Sequence, residues 1–266
     1  MLVSLLVVYP VGTSADGLMT EAGANAPIRV LAVTATQGYR HGPAIAAAQS
    51  FLTGLNGTSE FDFVFTENLN DLERLADFQV LFFANSTLRL APEPPEGVNS
   101  DQQAAIIEFL NQGGGFVGAH SALDACYGWA EYRKLVGGGL FRSHPWTEPV
   151  RIVNEAPGHP ITAHLGSSFE LTDEIYLLDH NPRPNVNVLL RLDPGSVDLS
   201  LLPTDVERHD FPISWTRTQG ASRIFMTKLG HFPEVWLNPD FQAHLLQGLR
   251  YAAGRTTDNH RQENAL

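Results

Sequence analysis

Gly113-Gly114-Gly115-Phe116-Val117-Gly118-Ala119-His120-Ser121 is the stretch on which the fold reading turns. The glycines close a helix predicted over the preceding residues, Phe116 and Val117 make a short apolar strand, and residues 118–121 turn out of it. A histidine and a hydroxyl are thereby delivered to the carboxyl end of a strand. In open parallel sheets that edge collects loops and helix N-termini, so ligands bind there. The run continues to Pro145 and holds Asp124, the single Cys126, Tyr127, Trp129, Tyr132, three glycines at 137–139 and His144.

Upstream, residues 28–36 (IRVLAVTAT) are almost continuously apolar, as a strand covered on both faces must be. A loop at 37–42 and a helix over 43–55 follow, with Pro43 at the helix start. Strands are predicted over 61–66 and 78–84 and a short helix capped by Asn68 over 68–76. Residues 88–99 carry three prolines and form a surface connection. Ser100 with Gln103 three residues on has the pattern of a capping box for the next helix. This alternation predicts right-handed crossovers and a mainly parallel sheet.

After His120 the rhythm changes. A short helix over 129–136 ends at the triple glycine, and strands over 147–153, 169–178, 186–192, 211–216 and 223–228 have little helix between them. Residues 238–254 close the chain as an amphipathic helix with Phe241, Leu245, Leu249 and Ala252 on one face. The expected fold is α/β, a three-layer sandwich with a mainly parallel central sheet plus a small antiparallel strand layer, inserted or appended. One domain spans 28–254, between a signal or disordered leader at 1–27 and a polar tail at 255–266.

Composition narrows the function classes. Hydrophobic residues at 43% and charged residues at 17% describe a globular chain, and a net charge of −12 with lysine only at 134 and 228 excludes a nucleic-acid surface. A single cysteine excludes an intrachain disulfide framework. Residues 1–11 are apolar and small-residue cleavage patterns follow, yet no Lys or Arg precedes the run, so exported (periplasmic) and cytoplasmic locations both stay open. No later run is long and apolar enough for a membrane span.

His41, His120 and His231 each follow a predicted strand at the same sheet edge, so a shared site is expected. Asp124 adds a carboxylate on the loop of His120, His144 returns after the triple glycine, and Glu174 lies in a later strand beside Tyr176. No HExxH or paired CxxC spacing is present, so a divalent metal, with His41, His120, His144 and His231 as candidate ligands, is one reading among several. The triple glycine lacks the lysine and preceding strand of a phosphate loop. His159 and His164 suit capping or surface roles, His180, His244 and His260 look peripheral, and Trp129, Trp215 and Trp236 suit the core, although Trp129 beside Gly128 also suits stacking on a sugar ring.

These residues in their order resemble one family. Gly38-Tyr39-Arg40-His41, the run from Gly118 through His120 to Asp124, Trp129 with Tyr132, the segment 138–144, His159-Pro160, Asp173-Glu174-Ile175-Tyr176, the segment 212–215 and Gly230-His231 resemble the ThuA-like, trehalose-utilisation family over 28–254. The resemblance implies a class I glutamine-amidotransferase-like, flavodoxin-like fold. Those amidotransferases carry a cysteine nucleophile at a Gly-x-Cys-x-Gly turn; here Gly118-x-His120 stands there and Cys126 lies beyond it, so glutaminase chemistry is not expected.

The resemblance implies sugar catabolism next to dehydrogenases that make 3-keto-glycosides. A ketosugar has an acidified C–H beside its carbonyl, which a histidine base and a nearby acid or metal can exploit. His120, His231, His41 and Asp124 are the expected catalytic residues. Arg40, Tyr39, Ser121, Tyr127, Trp129, Tyr132, His144 and Glu174 are expected to bind the carbohydrate. A non-catalytic carbohydrate-binding or regulatory protein and a metal-dependent hydrolase are the alternatives, and a homodimer is compatible with the element pattern.

Overall fold

The computed structural model describes residues 26–92 and 97–256; most of the expected leader and tail lies outside them. The first half alternates as its apolar runs dictate: β1 (Ile28–Val33), α1 (Gly42–Thr53), β2 (Phe61–Thr66), a 3-10 segment (Leu69–Asp77), β3 (Val80–Ala84), α2 (Ser100–Asn111) and β4 (Gly115–Ala119). The second half adds α3 (Ala130–Leu135), β5 (Phe141–Asn154), β6 (Ser168–Leu178), β7 (Asn187–Leu192), β8 (Pro212–Gln219), β9 (Ser222–Thr227), α4 (Pro233–Leu237) and α5 (Pro239–Ala252).

All nine strands form one mixed sheet in the order β2-β1-β3-β4-β9-β8-β7-β5-β6. The first five are parallel neighbours and the remaining pairings are antiparallel. The expected separate antiparallel layer is therefore corrected: those strands extend the parallel sheet. The outer edge of β9 must have its N–H and C=O groups satisfied, and a two-residue turn with Gly220 at φ +59° returns β8 onto it.

Strand pleating sends alternate residues into two cores, one on each sheet face. Val30 and Ala32 pack with Ala48 of α1 and Leu249 of α5, while Leu31 and Val33 pack with Leu72 and with Ile106 and Leu110 of α2. Close approach of α5 depends on Gly248, where a Cβ would fall 2.1 Å from the Phe225 ring of β9. Two local expectations shift. The segment after Asn68 is 3-10 rather than α, and the capping box of α2 is Asn99 with Gln102, one residue earlier than Ser100 and Gln103. The Asn99 side chain accepts from both Asp101 N and Gln102 N, two donors the helix itself leaves unpaired.

Although β6 ends the strand order, its middle returns to the carboxyl edge of the parallel strands. The Asp173 carboxylate accepts from Gly230 N at 2.7 Å, His231 N at 3.0 Å and Phe232 N at 3.4 Å, on the loop after β9. The β5–β6 register slips between Phe141 and Trp146, around His144 and Pro145, so the hairpin is irregular beside that loop.

Candidate active site

Four elements converge. His41 follows β1 and precedes α1, His120 stands at the exit of β4, His231 follows β9 and Glu174 projects from β6. One ligand atom from each lies within 4.8 Å of the others. His120 has φ +46°, a left-handed conformation that costs a non-glycine residue about 1–2 kcal/mol. Such strain at a sharp strand-to-helix turn marks a residue displayed for function. His120 is fully buried, and its Nδ1 donates to the Lys228 carbonyl at 2.9 Å.

That bond fixes the tautomer, because a carbonyl only accepts: the neutral ring keeps its lone pair on Nε2. Nε2 lies 3.1 Å from His231 Nδ1 and 3.7 Å from Glu174 Oε1, and His231 Nδ1 lies 3.3 Å from the same oxygen. His41 closes the group, with ring centroids 4.8 Å from His120 and 5.1 Å from His231, and its buried Nδ1 has no hydrogen-bond partner. Burial, then the neighbouring His231, lowers the His41 pKa to about 4, with Glu174 opposing. Burial and His41 hold His120 well below the ordinary histidine range. Neutral imidazoles with lone pairs facing one carboxylate, and one orphaned ring nitrogen, are a donor set that fits a divalent cation.

Beneath the cluster, the Tyr176 ring sits 4.2 Å from that of His120. Asp173 is fully buried; burial pushes its carboxyl up to about 7 against the pull of its backbone N–H donors. It fixes the backbone of His231, as an outer partner holds a ligand loop. Asn85, at the end of β3 with φ +54°, donates to Gly230 O at 2.8 Å from the other side.

The family model described as trehalose utilisation matches residues 29–252. The chain belongs to the ThuA family. Among solved structures it is similar to a ThuA-like protein from Bacteroides uniformis, at 25% identity and TM-score 0.71, over 92% of this chain and 95% of that one. A ThuA-like protein from Parabacteroides merdae follows at 19% identity and TM-score 0.65, over 87% and 91%. A β-galactosidase from Bacillus circulans shares the fold at 12% identity and TM-score 0.54, over 85% of this chain but 31% of that one. No curated protein matches the sequence.

Within this ThuA-family chain the other expected residues are distributed unevenly. His144, half-exposed, points Nδ1 at Glu174 Oε2 from 3.5 Å and stands at the rim, and the four-member donor group has Glu174 where His144 was expected. Asp124 is turned away by the 3-10 turn His120–Leu123: its carboxylate meets Arg89 at 3.4 Å and the Tyr127 hydroxyl at 2.9 Å. Tyr39 is 69% exposed with its ring edge-on to His41, and Arg40 pairs with Glu67 at 2.5 Å. Ser121 is buried with an unpartnered hydroxyl.

Trp129 and Tyr132 are a correction. They stack in the core, and the Tyr132 hydroxyl is spent on Ala122 O at 2.6 Å, so neither faces a ligand. Asp173, Tyr176, Asn85 and Lys228 were not singled out as site residues from the sequence. Asn85 alone carried a local signal, as the first polar residue after a buried strand.

Proposed function

We propose that this protein is an enzyme of sugar catabolism that acts on a keto-glycoside by moving the proton beside its carbonyl, on a class I glutamine-amidotransferase-like scaffold. Membership of the trehalose-utilisation family supports the sugar role. The observation that carries the chemistry is the convergence of His41, His120, Glu174 and His231 within 4.8 Å at the carboxyl edge of the parallel strands.

His41, His120, Glu174 and His231 would hold a divalent cation, which when bound polarises a carbonyl oxygen and stabilises enediolate charge. His231, partly exposed, would be engaged as a ligand, so the base role falls to the half-exposed His144, whose ring nitrogens are not needed for the cation. His120 and His41 stay neutral and fix the geometry of the cluster. His144, at the rim against Glu174, exchanges the proton it takes with solvent. Tyr39 offers an exposed ring for sugar stacking, and Asp124 with Arg89 and Tyr127 offers polar groups for sugar hydroxyls. Cys126 takes no part: burial pushes its thiol up to about 12, far from a nucleophile.

A metal-dependent hydrolase is the second reading, favoured by the same nitrogen-rich donor set around one carboxylate. A 3-keto-glycoside incubated with the protein in deuterated water separates the readings. Exchange of the proton next to the carbonyl, abolished in a folded His120→Asn variant, is the expected result. Bond cleavage without exchange would establish the hydrolase, and saturable binding with neither reaction would leave a carbohydrate-binding protein.

A further inference from the structure

A cavity of about 190 Å³ opens beside the start of β8 and the end of β6, and Lys228 is among the residues that line it. Lys228 is only 3% exposed. Among the described residues its amine makes no hydrogen bond and no ion pair; burial lowers its pKa to about 7, with Asp210 opposing, so the protonated form is the one a bound anion would stabilise. A buried ammonium without a partner is costly, and such a group calls for an explanation.

Ion pairing on the cavity wall supplies one. Asp210, the carboxylate whose charge acts on Lys228, is engaged by Arg183 at 2.6 Å and by the Asn181 amide at 2.9 Å. Asp179 is held by Arg133 at 2.8 Å, and Asp205 by Arg142 at 3.0 Å. Glu207 is exposed and lies against His209 at 2.9 Å. Asp179, Asp205 and Asp210 thus each have an arginine, Glu207 faces solvent, and Lys228 is the basic group of the wall left without a partner among the described residues. Leu178, Phe211 and Pro212 add apolar surface, as in a site that seats a ring or carbon chain beside its charged group.

We propose that this cavity binds a small polyhydroxylated oxyanion, a sugar carboxylate or a sugar phosphate, with its anionic group on Lys228. The site is distinct from the histidine cluster, although the backbone carbonyl of Lys228 is the acceptor for His120 Nδ1. It does not rest on the keto-glycoside reading. Lysine suits the role because it recognises an oxyanion as a point charge with three donors, without the planar fork that arginine demands.

The chain has only two lysines, Lys134 and Lys228, so lysine labelled with carbon-13 at Cε gives two resonances in the full-length protein. Exposed Lys134 serves as the internal control. Titration with gluconate, with glucose 6-phosphate and with glucose is expected to shift the Lys228 resonance saturably for one or both anions, which also identifies the anionic group, while Lys134 stays put. Calorimetry on a Lys228→Met variant that keeps its circular dichroism is expected to show an affinity loss of about tenfold or more. If that variant does not fold, the titration of the unaltered protein decides alone. No saturable shift with either anion, or a shift with glucose as large as with gluconate, would overturn the proposal.

Discussion

The chain builds two groups of three histidines, and only one has the makings of an active site. His41, His120 and His231 come from three strand ends and face a carboxylate, with Glu174 Oε1 3.3 Å from His231 and 3.7 Å from His120. His159, His164 and His244 gather at α5, each tied to backbone: His159 Nδ1 accepts from Ile161 N, His164 Nε2 donates to Asp240 O and His244 Nδ1 donates to Ile161 O. Both groups contain a fully buried imidazole whose pKa burial depresses. Burial and residue type are therefore shared. What differs is the carboxylate: His244 Nε2 is also without a partner, but among the described residues only the first group sets its ring nitrogens around a carboxylate, and that makes coordination or proton transfer available.

The contrast breaks most visibly at the central histidine. His120→Asn is expected to cut proton exchange on a keto-glycoside by about 100-fold, the upper end of the range for disturbing the groups that hold a metal site, while His244→Asn leaves the rate unchanged and lowers the melting temperature. Equal losses of exchange from both variants would erase the distinction. Glu174→Gln removes the carboxylate with little change of shape, and divalent-cation affinity measured by calorimetry is expected to fall by about 10–100-fold.

A smaller effect is expected one residue back. Asp173→Asn weakens the grip on Gly230 N, His231 N and Phe232 N and should destabilise the fold by about 1–3 kcal/mol in denaturant titration. Its kcat should fall more than its KM rises, since the displaced group is His231. Asp173→Glu should restore less than the native rate if the spacing of those three donors matters.

The smallest effect concerns pH. Burial holds His41 and His244 each at about 4 from an unfolded value of 6.5, so the unfolded chain binds protons that the folded one does not. Their contribution to stability is fully present above 6.5 and is lost as pH falls toward about 4. Asp173 has the opposite sign: raised from 3.8 to about 7, it stabilises at low pH and loses that contribution as pH rises through about 7. Melting curves between pH 4 and 6.5 should therefore flatten alike for His41→Gln and His244→Gln, although only the first touches the catalytic cluster.

Local signals carried much of this in the sequence. The strand at 61–66 matches its expected bounds, because a short apolar run between turn residues leaves little freedom, and the strand at 116–117 extends by one or two residues each way. The three site histidines were legible as polar residues at strand ends on one sheet edge. Asp173 and Tyr176 were not, since their roles depend on β6 returning to the loops after β9 and β4, and no spacing along the chain encodes that contact. Asp124 stood four residues from His120, but the 3-10 turn aims it at Arg89 instead. His159 and His244 were expected at the surface and are buried; His244 lies beside Leu245 on the face of α5 that packs inward.

The most direct measurement is cobalt(II) binding followed by its visible d–d spectrum, which reports ligand number and geometry without any substrate. The expected result is one cobalt per chain with a nitrogen-rich, low-symmetry spectrum, lost in His120→Asn and Glu174→Gln and kept in His244→Asn. Absence of saturable binding in the unaltered protein, or an unchanged spectrum in His120→Asn, would contradict a common centre at His41, His120, Glu174 and His231.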